Sequence, residues 1–425
     1  MAADQVGIIG ATIHGNRGAT AMLETLAGRL RAVDPGRQIA IFSYYPETDA
    51  RLISDPKVIV ASASPADLVL KHFPGALIAG LFRLFGFRWP DALLPRDIRE
   101  LRRCEMLLDV AGICFSDGRE KFLPFNILTI WPAMMLGIPV VKCSQALGPF
   151  ENLLTRWSAK LFLPHCKMIF GRGSETLAHL DSLAGLKDRF QSAGDLAFLH
   201  RNNFALSSEN QDRVRDLMNK LKADAGDGRP LICVCPSNIA SSSFGSLEAY
   251  ARAMASLADG LAAGGNRVIV MPTATRENSP KAHNNDINLV NMISSGISGD
   301  HPKEWLYLVN WDIAFSDIKN IIQLTDGVIT FRFHGLVAAL STCRPTIAVG
   351  WGHKYRELLR QFGLEDYDIN HQDVDMTGLV QRANQLLEAG PDISRQIQEA
   401  LPEVEAACEI QIDYILSTLP EKTHV

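Results

Sequence analysis

Short apolar runs alternate with longer amphipathic segments through most of this chain. The apolar runs contain few polar positions, which is typical of strands buried on both faces of a parallel sheet. They predict strands over residues 6–11, 38–43, 58–61, 106–114, 139–144, 168–170, 231–236, 267–272, 327–330 and 346–350. Apolar positions at helical spacing predict helices over residues 19–32, 125–136, 153–163, 246–263, 317–324, 336–341 and 393–416.

The alternation of strands and helices is interrupted by a more polar stretch from about 185 to 230 and then resumes. A chain of 425 residues also exceeds the usual size of one domain. We therefore expect two α/β domains in tandem with a cleft between them. The expected boundaries give an N-terminal domain over 1–190, a C-terminal domain over 191–392, and a C-terminal helix over 393–425 that packs back on the first domain.

The amino-acid composition and net charge limit the kinds of partner that the chain is expected to bind. Hydrophobic residues make up 47% of the chain and charged residues 21%, as in a core-forming globular protein. The net charge of −5 argues against a general nucleic-acid binder, which needs a basic face. None of the eight cysteines forms a CxxC pair, so we expect buried free thiols in a reducing cytoplasm.

One apolar segment has two interpretations. Residues 73–87 are apolar apart from Arg83, but this run is shorter than the ~20 residues that a membrane-spanning helix needs. Several arginines follow, up to Arg103. The segment is either a buried helix with its loop, or a peripheral contact of region 73–103 with an anionic bilayer.

Cationic residues cluster where two predicted strands end in the second half of the chain. Arg332 and His334 lie between the strand at 327–330 and a helix, with Gly335 beside them. His353 and Lys354 follow the next strand. Open α/β sheets bind ligands at the carboxyl ends of their strands, and helix N-termini favour anions. The pattern predicts a site for a small anion.

Three other loops carry candidate binding residues. The turn Gly15, Asn16, Arg17 and Gly18 lies between the first strand and its helix, although a plain tight turn would also explain it. Gln145 lies in a strand-end loop and would contact a sugar hydroxyl, while turn chemistry alone explains Gly148 and Pro149 that follow it.

Arg172 is the candidate in the third loop, where Ser174 is expected to cap the following helix. Its guanidinium could bind a carboxylate or phosphate in a bidentate manner, and a surface salt bridge is the alternative. No residues have zinc-ligand spacing, and no acidic pair for Mg²⁺ follows a strand, so we expect chemistry without a metal.

Taken in order, these motifs resemble the polysaccharide pyruvyl transferase family over most of the chain. The matching elements are Gly15–Gly18, Asp109 to Asp117, Gln145–Pro149, Arg172–Glu175, Asp195–Phe198, and Arg332 and His334 with the downstream Lys354. The sequence departs from the family after Gly18, where Ala19 and Thr20 replace an acidic pair.

The resemblance implies a glycosyltransferase-B-like fold of two Rossmann-like domains. It also implies transfer of the pyruvyl group of phosphoenolpyruvate to a sugar of an exopolysaccharide or cell-surface glycan, commonly as a ketal, with phosphate release. The residues that carry over as catalytic are Arg172, His334 and Lys354. Phosphoenolpyruvate would be a co-substrate, no other cofactor is implied, and the acceptor would be a sugar, oligosaccharide or lipid-linked glycan.

Two other functions fit the same sequence features. A two-domain protein with a basic anion site could be a glycosyltransferase that uses a nucleotide sugar. A non-catalytic glycan-assembly protein with the same fold is the third possibility, to which the missing acidic pair after Gly18 gives some support.

Overall fold

The computed structural model describes residues 4–201, 210–276, 285–298, 302, 305–350 and 352–420. The chain forms two compact units, neither of which is a single continuous segment. The N-terminal unit comprises Met1–Ile13, Ala19–Ser207 and Ala406–Val425, and the C-terminal unit comprises His14–Gly18 and Ser208–Glu405. The sequence alone predicts single boundaries near 190 and 392. The short loop at 14–18 is thus part of the C-terminal unit, although the elements around it in sequence are not.

Strands and helices are numbered in chain order. The strands are β1 Gln5–Ile9, β2 Gly15–Asn16, β3 Gln38–Ser43, β4 Val58–Ser62, β5 Cys104–Asp109, β6 Ile113–Cys114, β7 Val140–Leu147, β8 Met168–Gly171, β9 Phe190–Ser192, β10 Leu231–Cys235, β11 Arg267–Val270, β12 Ala274–Thr275, β13 Leu306–Leu308, β14 Gly327–Thr330, β15 Thr346–Gly350 and β16 Asp368–Asn370.

The helices are α1 Arg17–Val33, α2 Pro46–Leu52, α3 Pro65–Asp67, α4 Phe73–Leu84, α5 Arg96–Arg102, α6 Leu123–Leu128, α7 Trp131–Leu136, α8 Leu153–Phe162, α9 Gly173–Asp181, α10 Gln211–Ala223, α11 Leu247–Ala263, α12 Ile287–Gly296, α13 Phe315–Ile322, α14 Phe333–Leu340, α15 His353–Arg360, α16 Met376–Glu388 and α17 Gly390–Thr418. Short 3₁₀ segments lie at Asp91–Leu93, Glu120–Phe122, Leu163–His165, Leu196–Leu199, Asp224–Asp227, Asn238–Phe244 and Glu365–Tyr367, and a π-helical turn at Leu68–His72.

The N-terminal unit is built on a parallel sheet in the order β4-β3-β1-β5-β7-β8-β9, with β6 paired to β7. Its central strand β1 is buried at every position, as expected for a strand covered on both faces. The C-terminal unit has a parallel sheet in the order β13-β11-β10-β14-β15-β16. The predicted α/β class with two Rossmann-like sheets is therefore confirmed.

Two predicted elements are each broken in the structure. The expected strand over 106–114 ends at Asp109 and resumes as β6, because Asp109 Oδ1 accepts a hydrogen bond from the Ala111 amide, 2.9 Å away, and turns the chain. The expected helix over 125–136 is two helices, α6 and α7. Pro132 lies in the first turn of α7, where its missing amide and fixed φ suit a helix start but not a helix interior.

The long helix α17 begins in the C-terminal unit, and its residues from Ala406 onward belong to the N-terminal unit. There, Gln411 donates from Nε2 to the Gly194 carbonyl (2.9 Å), and Ser144 Oγ lies 3.2 Å from Gln411 Oε1. The ring of Tyr414 meets Phe170 edge-on. This half of the helix is thus fixed to strands β7 and β8 and to the loop after β9.

All eight cysteines lie among the described residues and none of them forms a disulfide there, as the sequence suggests; seven are buried and Cys343 is half-buried. Burial raises the pKa of the Cys114 thiol to about 11 and that of Cys166 to about 12. In the part of the chain that the structure describes, no helix has both the length and the apolar character needed to cross a membrane.

Candidate functional site

The predicted site residues divide between the two units. Arg172 and Gln145 belong to the N-terminal unit. The C-terminal unit contains the others, including the whole turn from Gly15 to Gly18. Within that unit the turn and the strand-end residues lie together, so the two motifs that are farthest apart in sequence form one cluster.

His334 is held at the start of α14 by the geometry of the strand end. Strand β14 stops at Thr330, whose hydroxyl accepts a hydrogen bond from the Arg332 amide (3.1 Å) and donates to the Arg332 carbonyl (2.9 Å). Arg332 is the N-cap of α14, and His334 is the second residue of the helix. A Cβ at Gly335 would overlap Thr330 Oγ1, so the glycine allows the helix to begin this close to its strand.

Gly18 packs directly on the His334 imidazole. A Cβ built at Gly18 would overlap the ring at Cγ and Nδ1. Gly18 is buried near the start of α1. It is the last residue of the 14–18 segment, which belongs to the C-terminal unit. The conformation of the His334 side chain therefore depends on a glycine more than 300 positions earlier in the sequence.

The same turn packs against a second cation, Arg276. Strand β2 pairs antiparallel with β12, with Gly15 opposite Thr275. Gly15 has φ +121°, and a Cβ there would lie 2.8 Å from Arg276 Nε. Both its backbone conformation and the neighbouring guanidinium thus favour glycine.

Arg17 is buried and ion-paired with Asp312, and its Nε donates to Thr275 Oγ1 at 2.8 Å. Burial lowers the pKa of His14, the Arg17 charge lowers it further, the Asp312 carboxylate opposes this, and Arg276 adds to the lowering. His14 therefore favours its neutral form in the folded protein. The turn carries both a compensated charge and a titratable ring.

Arg332 forms a buried bidentate ion pair with Asp286. Its Nε lies 2.9 Å from Asp286 Oδ2 and its Nη2 2.7 Å from Oδ1. Asp286 also accepts a hydrogen bond from the Asn238 amide (3.0 Å), which joins the loop after β10 to the same pair. The contacts shown by the structure thus give Arg332 a role in holding the loops after β14 and β10 to the start of α12, and its assignment to substrate binding stays a prediction.

Lys354 and His353 open helix α15, after the strand next to β14. Strands β14 and β15 are parallel neighbours, so α14 and α15 begin at the same edge of the sheet. The Phe333 ring connects them, because Lys354 Nζ lies 4.9 Å from its centroid and the His334 ring centroid 5.4 Å away. His353 is 39% exposed at its side chain and lies 3.8 Å from Glu357 of the same helix.

In the N-terminal unit, Arg172 is held by two loops. Its Nη1 is paired with Asp195, and its Nη2 donates to the Gly112 carbonyl at 2.7 Å. A Cβ at Gly112 would be 3.6 Å from Nη2, so the loop approaches the guanidinium closely. The expectation that Ser174 caps the following helix is wrong, because α9 begins at Gly173 with Arg172 as its N-cap.

Gln145 is fully buried and donates from Nε2 to the Asp109 carbonyl at 2.9 Å. Beside it, the buried Lys142 ammonium is paired with the Asp109 carboxylate. Although burial opposes the charged form of Lys142, the neighbouring Asp109 anion raises its pKa. These contacts give Gln145 a part in fixing the strand ends, and its predicted contact with sugar stays untested.

Three residues of the C-terminal cluster were not assigned from the sequence. By its sequence, the polar stretch 283–286 suits either an acceptor contact or a solvated loop. His283 and Asn284 lie outside the described residues, whereas Asn285 and Asp286 are buried, so solvation is wrong for these two. Arg276 stands just before that stretch, and Asp312 has no local sequence signal. A polar residue next to buried apolar positions, as at Asp286–Ile287, is the one sequence hint.

The family model described as polysaccharide pyruvyl transferase matches residues 16–353, which contain Asn16, Arg17 and Gly18 of the turn, Arg172 and helix α14 with His334. The chain belongs to this family. The resemblance recognised from the short motifs is thereby confirmed, over most of the length for which it was expected.

Solved structures share the fold at low sequence identity. UDP-GlcNAc 2-epimerase from Neisseria meningitidis, bound to UDP-GlcNAc, is 10% identical, with a TM-score of 0.57 over 97% of this chain and 100% of the other. A putative UDP-N-acetylglucosamine 2-epimerase from Listeria monocytogenes is 12% identical, with a TM-score of 0.55 over 100% of both chains. HepE from Anabaena, in complex with UDP-glucose, is 12% identical, with a TM-score of 0.52 over 98% and 100%. The chain therefore has a glycosyltransferase-B-like fold.

Proposed function

We propose that this protein transfers the pyruvyl group of phosphoenolpyruvate to a sugar of an exopolysaccharide or cell-surface glycan in the cytoplasm. Two sugar hydroxyl oxygens form bonds to C2 of the donor, and the bond from C2 to the phosphate oxygen breaks. One hydroxyl proton goes to the methylene carbon, which becomes a methyl group, and the other leaves with phosphate. The product is a ketal, and the proposal calls for no metal or further cofactor.

The observation that carries this proposal is the cluster formed by Gly18, His334, Phe333 and Lys354 in one unit. A titratable ring and an ammonium both contact the Phe333 ring, at the N-termini of two adjacent helices. Helix N-termini favour anions, and phosphoenolpyruvate carries two anionic groups. The family membership supports the same donor class.

In the proposed reaction, Lys354 neutralises an anionic group of the donor, and His334 carries the proton. A histidine suits proton transfer near neutral pH, and positioned acid–base catalysis contributes about 10²–10⁴-fold to the rate. Arg332, Gly335, His353 and the turn at Gly15–Gly18 are proposed to bind substrate around these two residues.

Arg172 is proposed to bind the second anionic group of the donor, on the strength of the family motif. Its pair with Asp195 complicates the obvious test, because Arg172→Ala also leaves a buried carboxylate without its partner. Asp195→Asn breaks the same ion pair while keeping the guanidinium. If Arg172 binds the donor, Arg172→Ala weakens phosphoenolpyruvate binding and Asp195→Asn does not.

The first experiment is a calorimetric titration of the purified protein with phosphoenolpyruvate and, separately, with phosphate, as wild type and as Lys354→Ala and His334→Ala. We expect wild-type binding, weaker binding in Lys354→Ala, and nearly unchanged binding in His334→Ala. Turnover is then measured as phosphate release with an acceptor panel, where His334→Ala should lose about 10²–10⁴-fold.

The control is His371→Ala. His371 is a half-buried histidine of the same unit, whose Nδ1 bonds to Ser243. The His371→Ala variant should bind phosphoenolpyruvate with wild-type affinity and release phosphate at the wild-type rate. Turnover of His334→Ala equal to that of His371→Ala would remove His334 from the proposed mechanism.

A nucleotide-sugar glycosyltransferase is the second candidate, because structures of the same fold contain UDP-GlcNAc and UDP-glucose. The titration includes both compounds. Binding of a UDP-sugar with no heat from phosphoenolpyruvate would replace the pyruvyl transfer proposal with this one. Binding of glycans alone, without either donor, would favour a non-catalytic glycan-assembly protein.

A further inference from the structure

Helix α4 of the N-terminal unit has its small residues inside and its large apolar residues outside. Gly75, Ala76, Ala79 and Gly80 are buried, whereas Leu77, Ile78, Leu81 and Phe82 are exposed. A surface helix of a globular protein ordinarily buries its large apolar side chains. Because of this inverted arrangement, the packing of α4 on the rest of the unit does not account for these four exposed apolar side chains.

Close packing of the inner face fixes this orientation. A Cβ at Gly80 would lie 3.0 Å from the Met135 carbonyl oxygen of α7, and one at Gly75 would lie 3.3 Å from Ile98 Cγ1 of α5. Larger side chains would not fit there, so the helix cannot rotate to bury its outer residues. The exposed apolar side is therefore a fixed feature of the folded unit.

Further exposed apolar side chains follow the helix and lie on α8. Leu84 and Phe85, at the end of α4, are 80% and 77% exposed, and Phe87 and Leu93 follow. On α8, Leu153, Leu154, Trp157 and Leu161 are exposed. The Trp131 ring lies 5.1 Å from Phe73 and 5.2 Å from Phe162, so α4 and α8 pack on the same aromatic residue of α7. We call these exposed residues of 77–93 and 153–161 the apolar face.

Exposed cations surround the apolar face. They are Arg83, Arg88 and Arg96 near α4, and Arg156 and Lys160 on α8. The acidic residues of the stretches 69–99 and 151–161 are Asp91, Asp97 and the exposed Glu151. Asp91 is paired with Arg88 and Arg102, and Asp97 is buried and accepts a hydrogen bond from the Ser62 amide. The whole chain carries a net charge of −5, so the local excess of positive charge is opposite in sign to the net charge of the protein.

We propose that the apolar face docks on the surface of an anionic lipid bilayer. Contiguous exposed apolar patches are uncommon on soluble proteins, and lysine and arginine beside such a patch favour anionic headgroups over a neutral partner. At 12 residues, α4 is too short to span a bilayer, so it lies in the interface. The proposal does not depend on which donor the protein uses.

The test is flotation of the full chain with vesicles of phosphatidylcholine, alone or mixed equally with phosphatidylglycerol. We expect binding to the mixed vesicles that falls with added salt. Leu81→Ser with Phe85→Ser should lower the partition coefficient on the order of tenfold per residue. Arg96→Gln with Lys160→Gln should lower it about fivefold per charge, on mixed vesicles only.

Matched controls show whether the effect belongs to this face. Val33 and Ile239 are exposed apolar residues elsewhere, and Val33→Ser with Ile239→Ser should leave partitioning unchanged. Emission from Trp157, isolated as the difference from Trp157→Phe, should shift to shorter wavelength on mixed vesicles. Absence of binding to mixed vesicles overturns the proposal. So does concentration-dependent self-association that Leu81→Ser with Phe85→Ser abolishes while vesicles remain unbound, because the face would then cover a second copy.

Discussion

The imidazole of His334 lies against Gly18 so closely that no side chain fits between them. The contact joins the first turn of α1 to the first turn of α14, and both residues belong to the C-terminal unit. The glycine of the turn motif therefore sets the conformation of the candidate acid–base residue. This steric contact explains the glycine at position 18 without requiring that its backbone amide binds an anion.

Gly18→Ala should displace the His334 ring and lower turnover by about 10²-fold or more, because misplaced acid–base groups lose their contribution to the rate. Phosphate release from phosphoenolpyruvate, compared with donor affinity, measures this. The matched control is Gly28→Ala in the same helix, where the described residues leave open space around the added Cβ. Gly28→Ala should raise the free energy of unfolding by about 0.5–1 kcal/mol and leave turnover unchanged. Equal turnover of the two variants would contradict the steric argument.

Arg332→Ala should lower the free energy of unfolding by about 3–5 kcal/mol, because it leaves the buried Asp286 carboxylate without its bidentate partner. Chemical denaturation measures the loss. Arg332→Ala combined with Asp286→Ala should cost less than the sum of the single changes. As a control, Arg215→Ala removes an exposed partner of Asp212 and should cost at most about 1 kcal/mol. Additive losses would mean that the pair is not coupled.

Acid should destabilise the fold partly through His14. The pKa of His14 is lowered in the folded protein by burial and by the charge of Arg17, so the unfolded chain binds the proton more readily than the fold does. The stabilising contribution is complete above the ordinary histidine pKa of 6.5 and is lost as the pH falls through and below it. Denaturation midpoints of wild type and His14→Gln should converge toward low pH. A constant difference between them at all pH values would rule out this linkage.

Thiol reagents should modify Cys343 first in the native protein. It is half-buried, whereas the other cysteines are buried, and burial raises the thiol pKa at Cys104, Cys114, Cys143 and Cys166. Mass spectrometry after brief alkylation identifies the modified site, and Cys343→Ser should remove the fast phase. Early labelling of Cys233 or Cys235 would show that the core of the C-terminal sheet opens.

Much of the architecture was predictable because parallel strands form unbroken apolar runs. The strands at 38–43, 327–330 and 346–350 were placed at their observed bounds. Helices α10 and α16 were missed, since few of their positions are buried and their sequences are largely polar. The break between α6 and α7 depends on Pro132 within an otherwise apolar segment, a local signal that periodicity alone does not reveal.

The candidate site was predictable only as a set of cations at strand ends. The partners of those cations come from distant positions, because Asp312 meets Arg17 across 295 residues and Asp286 meets Arg332 across 46. Sequence periodicity reports burial of a whole segment and not which charges are compensated. It therefore located Arg332 at the site without showing that an aspartate neutralises it.

The second half of helix α17 completes the N-terminal unit late in synthesis. Gln411 and Tyr414 contact Gly194 and Phe170 of that unit, yet the ribosome makes them only after most of the C-terminal unit. Translation adds roughly 5–20 residues per second, so the first sheet waits many seconds for this half of the helix. During that interval Ser144 and Gly194 lack their hydrogen bonds to Gln411, so the N-terminal unit reaches its final set of contacts only after residue 411 has been added.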